Sequence, residues 1–292
     1  MINPAEFGIQ VAKYSKPSRG LMPELPEVEI TCRIIAPDME GKTVQHVVVR
    51  NPDLRWPVPA DLAKILPGQI IQTVRRRGKY LLVHCSDGTI LLHLGMSGHL
   101  RVLSAATPPG KHDHVDIIFT DGHCLRLNDP RRFGAVLWTD NDPFQHPLIA
   151  KLGPEPLDNN FSGAYLFKRS RSRRIAVKLF IMDSHTVVGV GNIYANEALF
   201  LAGIHPARPA ESLSENQYEK VAIAIREVLI AAIAAGGSSL RDFTVSDDKP
   251  GYFKQYLKVY GRTGEACSAC GEILQHIRIS GRATYFCLNC QK

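Results

Sequence analysis

Four of the seven cysteines in this 292-residue chain stand in its last 26 residues. Their spacing is Cys267-x2-Cys270-x16-Cys287-x2-Cys290. Two CxxC knuckles at this separation match a closed, tetrahedral site for one zinc ion, with all four thiolates as ligands. A closed site leaves no position for a substrate, so the expected metal is structural. It would hold together a segment too small to bury its own core. Between the knuckles, "QHIRISGRATYF" reads as two strands around Ser280-Gly281, which places Arg282 at or near a hairpin tip. Such an arginine suits a nucleic-acid reader. Taken alone it is one more solvated charge.

Other residue groups could also meet a polyanion. "KRSRSRRIAVK" (168–178) carries six basic residues and no acid; it fits either a solvated face or phosphate contact. In "GVGNIYANEALFLAGIHP" (189–206), Gly189 and Gly191 precede a helix whose apolar face is Ile193, Ala198, Leu199 and Leu201. A Gly-containing turn running into a helix presents free N–H groups to a phosphate, and Asn192 either caps that helix or touches the phosphate. "NDPRRFGAV" (128–136) puts Arg131, Arg132 and Phe133 after a turn, and "LGMSGHL" (94–100) puts Met96 in a Gly-containing turn. These side chains suit either a wedge between bases or ordinary packing.

The bulk numbers agree with a polyanionic partner: the formal net charge is +7 and the pI about 9.0. No 18-residue apolar run suggests a membrane span, and the first 21 residues lack the apolar core of a signal peptide. Lys13, Lys16 and Arg19 among serines leave room for a transit peptide, against which Glu6 counts. Cys32, Cys85 and Cys124 are scattered singly, a pattern unlike a secreted disulfide framework and in keeping with an intracellular protein that has one metal site. The expected place is the cytoplasm.

The elements that must position these groups fall into three blocks. A helix is expected over residues 24–36, with Pro23 and Pro26 at its start and Glu24, Glu27 and Glu29 near its positive end. "TVQHVVVR", "YLLVHC", "TILLHL", "HVDIIFT" and "AVLWT" read as strands, with hairpin turns at Ser86-Asp87-Gly88 and Asp121-Gly122. Between them only "PADLAKIL" (59–66) is helix-like. The chain is thus α+β and multidomain, with a β-sandwich or barrel and flanking helices over residues 23–152. "LGPEPL" (152–157) is a linker. A helical block follows over 153–245, where Tyr218, Val221, Ala222, Ile225, Leu229 and Ile233 line one helix face that ends at Gly236-Gly237. Residues 246–292 hold the polar loop "SDDKPGYF" and the cysteines.

The motifs together resemble the bacterial formamidopyrimidine-DNA glycosylases. They are "MPELPEVE" (22–29), "HLGMSG" (93–98), "KHDHVD" (111–116), "DPRRFG" (129–134), "VVGVGNIYANE" (187–197), "KPGYF" (249–253) and the cysteine ribbon. The resemblance covers the chain from residue 22 to its end. It implies an N-terminal β-sandwich, a helix–two-turn–helix domain and a four-cysteine zinc ribbon. It implies a monomeric enzyme acting on double-stranded DNA that contains oxidised purines, and no organic cofactor. By motif match, Pro23 is the nucleophile, Glu24 the general acid and Lys79 a supporting lysine near the phosphates. Arg282 matches an arginine that grips phosphates beside the lesion. His112, Arg131, Arg173 and Asn192 fall at DNA-contacting positions, although Arg173 lies where relatives often carry lysine. Met96, Arg131 and Phe133 match a trio that fills the void after base extrusion, and "SDDKPGYF" a loop over the extruded base.

This chemistry conflicts with one feature of the chain. A terminal amine, with an ordinary pKa of about 7.7–8.0 against about 10.4 for lysine, is far more often neutral and nucleophilic at pH 7. Inside a chain, the proline nitrogen is an amide without that lone pair. Residues 1–22 are therefore read as an extension absent from the active protein, with translation starting at Met22. Two other readings stand beside the main one. The first is an endonuclease VIII-type enzyme for oxidised pyrimidines. The second is a catalytically silent binder of damaged DNA that retains the extension.

Overall fold

The computed structural model describes residues 23–237 and 255–292. The extension and the "SDDKPGYF" loop lie outside the described residues. Helix α1 (Leu25–Met39) starts where the Pro-Glu pattern places it and runs beyond residue 36, through Pro37, to the buried Met39. It is followed by β1 (Val44–Val49) and the four-residue helix α2 (Leu62–Ile65). Seven more strands complete the first block: β2 (Ile71–Arg77), β3 (Tyr80–Cys85), β4 (Thr89–His93), β5 (His99–Ser104), β6 (Asp113–Phe119), β7 (His123–Asn128) and β8 (Ala135–Thr139).

The eight strands form two four-stranded antiparallel sheets, ordered β1-β6-β7-β5 and β2-β3-β4-β8. Val47, Leu100, Ile117 and Leu125 of one sheet share a core with Val74, Val83, Leu92 and Val136 of the other. The block is therefore a sandwich. Strand β7 carries an arginine in its buried face. Arg126 is almost wholly enclosed and forms paired bonds of 2.8 Å to both oxygens of Asp116, and its charge is tolerated there because it is fully bonded.

Two chain crossings at one end of the sandwich position the candidate wedge residues. The 94–98 loop leads from β4 to β5, and the 129–134 loop from β7 back to β8. His93 pairs with Ala135 in one sheet and His99 with Asn128 in the other, so the two crossings run side by side.

The second block holds α3 (Gly163–Ser170), α4 (Val177–Met182), α5 (Asn192–Leu201) and α6 (Glu215–Ala234). Tyr218, Val221, Ala222, Ile225 and Leu229 face its core. Leu201 does not belong to the apolar face of α5: it is 52% exposed, and Tyr194 and Ala195 are buried beside Ile193, Ala198 and Leu199. Leu201 instead lines an open groove beside Val228 and Ala231 of α6. The tail forms the hairpin β9 (Gln275–Ile279) and β10 (Arg282–Phe286). Ser280 and Gly281 have φ of 48° and 76°, the positive pair required by a tight two-residue turn.

Helix α1 ties the two larger blocks together. Leu25, in its first turn, packs into the helical core, whereas Val28, Cys32, Ile35 and Met39 pack into the sandwich. Its N-terminus, with Pro23 and Glu24, therefore sits where the blocks meet.

Candidate active site

Pro23 is buried immediately before α1. Glu24 is the N-cap residue of that helix and forms a capping box with Glu27. Glu27 accepts the Glu24 N–H at 2.9 Å, and Tyr194 Oη donates to Glu27 at 2.7 Å. Glu24 Oε1 also accepts the Ile193 N–H at 3.2 Å, at the start of α5. Its Oε2 is buried with no hydrogen-bond partner among the described residues. Burial is the main cause that raises the Glu24 pKa to about 7; the Lys79 charge opposes it, and the Glu27 charge adds to it. A carboxyl with a pKa this far raised is still protonated in a large fraction near neutral pH, and the unpartnered oxygen is the one that can carry and deliver the proton.

Two glycines make room for this arrangement. Gly189 has φ +81°, and its carbonyl accepts the Leu25 N–H at 3.2 Å. A Cβ at Gly191 would overlap the Glu24 carboxyl. Gly191, not Asn192, is the N-cap residue of α5. The Asn192 amide donates to the Ala283 carbonyl at 3.2 Å, so it docks the ribbon hairpin instead of capping its own helix.

The basic run 168–178 is not one solvated face. Lys178 is fully buried in α4, and its Nζ donates to Ala283 O at 2.8 Å and Thr284 Oγ1 at 2.7 Å. Burial chiefly, with the nearby Arg282 charge, depresses its pKa to about 7, and Glu24 pulls the other way. The sequence reading treats Lys178 as the last charge of an exposed cluster. The signal against that is its place in "IAVKLFIM", the only charge in an apolar stretch.

Lys79 stands half-buried at the β2–β3 turn. The preceding Gly78 N–H donates to Glu155 at 2.6 Å, and Arg76 and Arg77 donate to the same carboxylate at 2.7 and 3.0 Å. The linker between the blocks thus holds the turn that presents Lys79.

Met96, Arg131, Phe133 and Arg282 line one cavity of about 890 Å³, together with His93 and Arg55. Sequence reasoning did not single out His93 or Arg55. The His93 imidazole has its pKa pushed down to about 4 by burial and by the Lys79 and Arg55 charges, so it is neutral at physiological pH. Its Nδ1 accepts the Gly95 N–H at 2.9 Å. His112 and Arg173 are not among the cavity's lining residues. His112 is half-buried before β6, and its carbonyl accepts the Asp129 N–H at 3.0 Å. Arg173 is exposed on the turn between α3 and α4.

The four C-terminal cysteines offer sulfur atoms that all lie within 4.8 Å of one another. Cys270–Cys287 and Cys267–Cys290 are 3.5 and 3.9 Å apart, sulfur to sulfur. Zinc–sulfur bonds of about 2.3 Å in a tetrahedron require close to this separation. The donor set fits one structural zinc. Among the described residues, no helix is long and apolar enough to cross a membrane.

Family comparisons agree with this geometry along the chain. The model for the formamidopyrimidine-DNA glycosylase N-terminal domain matches residues 22–136, the one for the H2TH domain 152–244, and the one for the zinc finger found in FPG and IleRS 264–292. A formamidopyrimidine-DNA glycosylase of Marinobacter nauticus is 57% identical over 271 residues, 93% of this chain and 100% of the relative. Among solved structures, a Lactococcus lactis FPG mutant with Fapy-dG-containing DNA superposes with a TM-score of 0.85 at 35% identity, covering 92% of this chain and 100% of that one. The MutM (FPG) protein of Thermus thermophilus gives a TM-score of 0.82 at 37% identity, covering 92% and 98%. The chain belongs to the formamidopyrimidine-DNA glycosylase family.

Proposed function

We propose that this chain is a base-excision repair enzyme that removes oxidised purines, 8-oxoguanine and formamidopyrimidines, from double-stranded DNA and then cuts the strand. The observation that carries this reading is the Glu24 carboxyl. It is buried, holds a proton near neutral pH, and has one oxygen unpartnered directly after Pro23.

The secondary amine of Pro23, freed of the preceding residues, attacks C1′ of the damaged nucleotide. The glycosidic bond breaks, and the base leaves with its bonding electrons and takes up a proton. Glu24 protonates the ring oxygen as the C1′–O4′ bond opens. The product is an iminium between proline and the open sugar. Its positive nitrogen acidifies C2′. Loss of that proton expels the 3′ phosphate, and a second elimination expels the 5′ phosphate. The cations Lys79 and Arg282 are assigned to the phosphates on either side of this position, while the buried Lys178 holds the ribbon hairpin that carries Arg282. Arg131, Arg173, His112 and Asn192 are assigned to the DNA strands, and Met96, Arg131 and Phe133 to the void that the extruded base leaves. The site of action is the bacterial cytoplasm, on chromosomal DNA, as a monomer.

The test is substrate choice. Excision of 8-oxoguanine opposite cytosine should exceed excision of thymine glycol opposite adenine, compared under single-turnover conditions. Preference for thymine glycol would move the assignment to the endonuclease VIII type.

A further inference from the structure

Met96 and the Arg131–Phe133 pair stand on two separate chain crossings, yet one hydrogen-bonded brace joins them. Asp129 is fully buried. Its Oδ1 accepts the Ser97 hydroxyl at 2.6 Å, and its Oδ2 accepts the Gly134 N–H at 2.7 Å. Its carbonyl accepts the Arg132 N–H at 3.1 Å and His114 Nε2 at 2.9 Å. With its own O–H directed at Asp129, the Ser97 oxygen accepts the Arg131 N–H at 3.1 Å. A relay therefore runs from the backbone of one crossing, through a hydroxyl of the other, to a buried carboxylate of the first. The bonds from Ser97 and from the Gly134 N–H end on the carboxylate and are the charge-assisted ones.

The backbone records how tightly the crossings are held. Arg132 has φ +57°, a left-handed conformation that a non-glycine residue keeps only where its surroundings enforce it. Gly95 has φ +61°, and a Cβ there would overlap the Phe133 and Gly134 backbone. The Arg131 guanidinium lies over the Phe133 ring, 4.9 Å from its centroid.

We propose that Ser97 and Asp129 are positioning residues that lock the two crossings into one rigid prong, so that Met96, Arg131 and Phe133 enter the base stack as a unit. The proposal rests on the assignment of those three to the void. Two independent loops would each lose conformational freedom on insertion, whereas a braced prong has already lost it in the free protein.

The experiment compares Ser97→Ala, Ser97→Thr, Met96→Ala and Phe133→Ala in the chain expressed from Met22. One substrate is a duplex with 8-oxoguanine opposite cytosine, followed in a single turnover. The other is an abasic site in single-stranded DNA, trapped with borohydride; it has no partner strand and needs no void filled. Ser97→Ala should slow duplex excision by up to about 100-fold, the scale of a misplacement of about 1 Å. Ser97→Thr, which keeps the hydroxyl, should restore most of the rate. Trapping on the single strand should stay at the parent level. Parent-level duplex excision by Ser97→Ala, with Met96→Ala and Phe133→Ala slowed, would overturn the brace alone. Parallel loss of both reactions in Ser97→Ala would show a damaged fold and overturn it as well. Parent-level excision by Met96→Ala and Phe133→Ala would remove the void assignment, and the brace with it.

Discussion

Replacing Glu24 with glutamine will slow removal of 8-oxoguanine from a duplex by about 10³-fold, within the range of one lost general acid. The isostere keeps the acceptor for the Ile193 N–H and has no proton of suitable acidity to give the sugar ring oxygen. A preformed abasic site already exchanges with its open aldehyde, so imine formation there does not need that proton. The same variant should therefore still be trapped by borohydride on an abasic site within about ten-fold of the parent. Equal loss of both reactions would contradict the assigned role.

The pH profile follows from the same carboxyl. Its protonated form is lost as pH rises through about 7, whereas a terminal proline amine gains its neutral form as pH rises towards about 8. Excision should pass through a maximum between these values, and the alkaline limb should flatten in Glu24→Gln. Stability has its own sign. The folded protein holds a proton that the unfolded chain releases, because the pKa is raised from 4.5 to about 7. The stabilisation is fully present below pH 4.5 and is lost as pH rises through 7. Glutamine loses no proton, so Glu24→Gln should gain relative stability between pH 4 and pH 8. The gain should be about 3 kcal/mol, at about 1.4 kcal/mol per pKa unit.

Removing the zinc, by chelation or by Cys287→Ser, should abolish borohydride trapping and weaken duplex binding about 100-fold at fixed salt. Structural zinc contributes the folding energy of a segment this small, and the loss is on the scale of several phosphate contacts. The consequence reaches beyond the tail. The hairpin presents Arg282 to the cavity, and Ala283 and Thr284 supply both acceptors of the buried Lys178. Ala283 also accepts Asn192, and the Tyr285 N–H donates to Asn196 at 2.8 Å. The chain entering the ribbon is moored by Glu197, which accepts the Lys258, Val259 and Tyr260 N–H groups. Unfolding the tail strips the partners from a lysine beside Glu24. Full activity of the zinc-free protein would contradict this coupling.

The zinc knuckles were legible because the spacing of four cysteines is itself the geometry. The helix starting at Pro23-Glu24 and the turn at Ser280-Gly281 were legible because local backbone chemistry sets them. Three strands were not: "IQTVRRR", "HCLRLN" and "HLRVLS" interleave apolar residues with arginines. Arg126 reads as polar surface until Asp116 arrives from the neighbouring strand to bury it. Lys178 failed to stand out for the same reason, since its partners lie more than a hundred residues away in the ribbon. The Glu24 pKa is likewise a property of burial at a junction of two blocks, which no local pattern encodes. The resemblance implies the general-acid role for Glu24, and its burial is the feature that would suit it to that role.

The central claim is that the Pro23 amine forms the bond to DNA. The deciding measurement incubates a duplex carrying 8-oxoguanine opposite cytosine, with borohydride, with two proteins: the full 292-residue chain and one beginning at Pro23. Mass spectrometry verifies each N-terminus and then locates the reduced adduct. The account predicts a covalent adduct only for the shorter protein, on the Pro23 nitrogen. An adduct of both proteins at an internal lysine would contradict it. DNA binding by both proteins with no adduct from either would contradict it as well, and would leave a silent binder of damaged DNA.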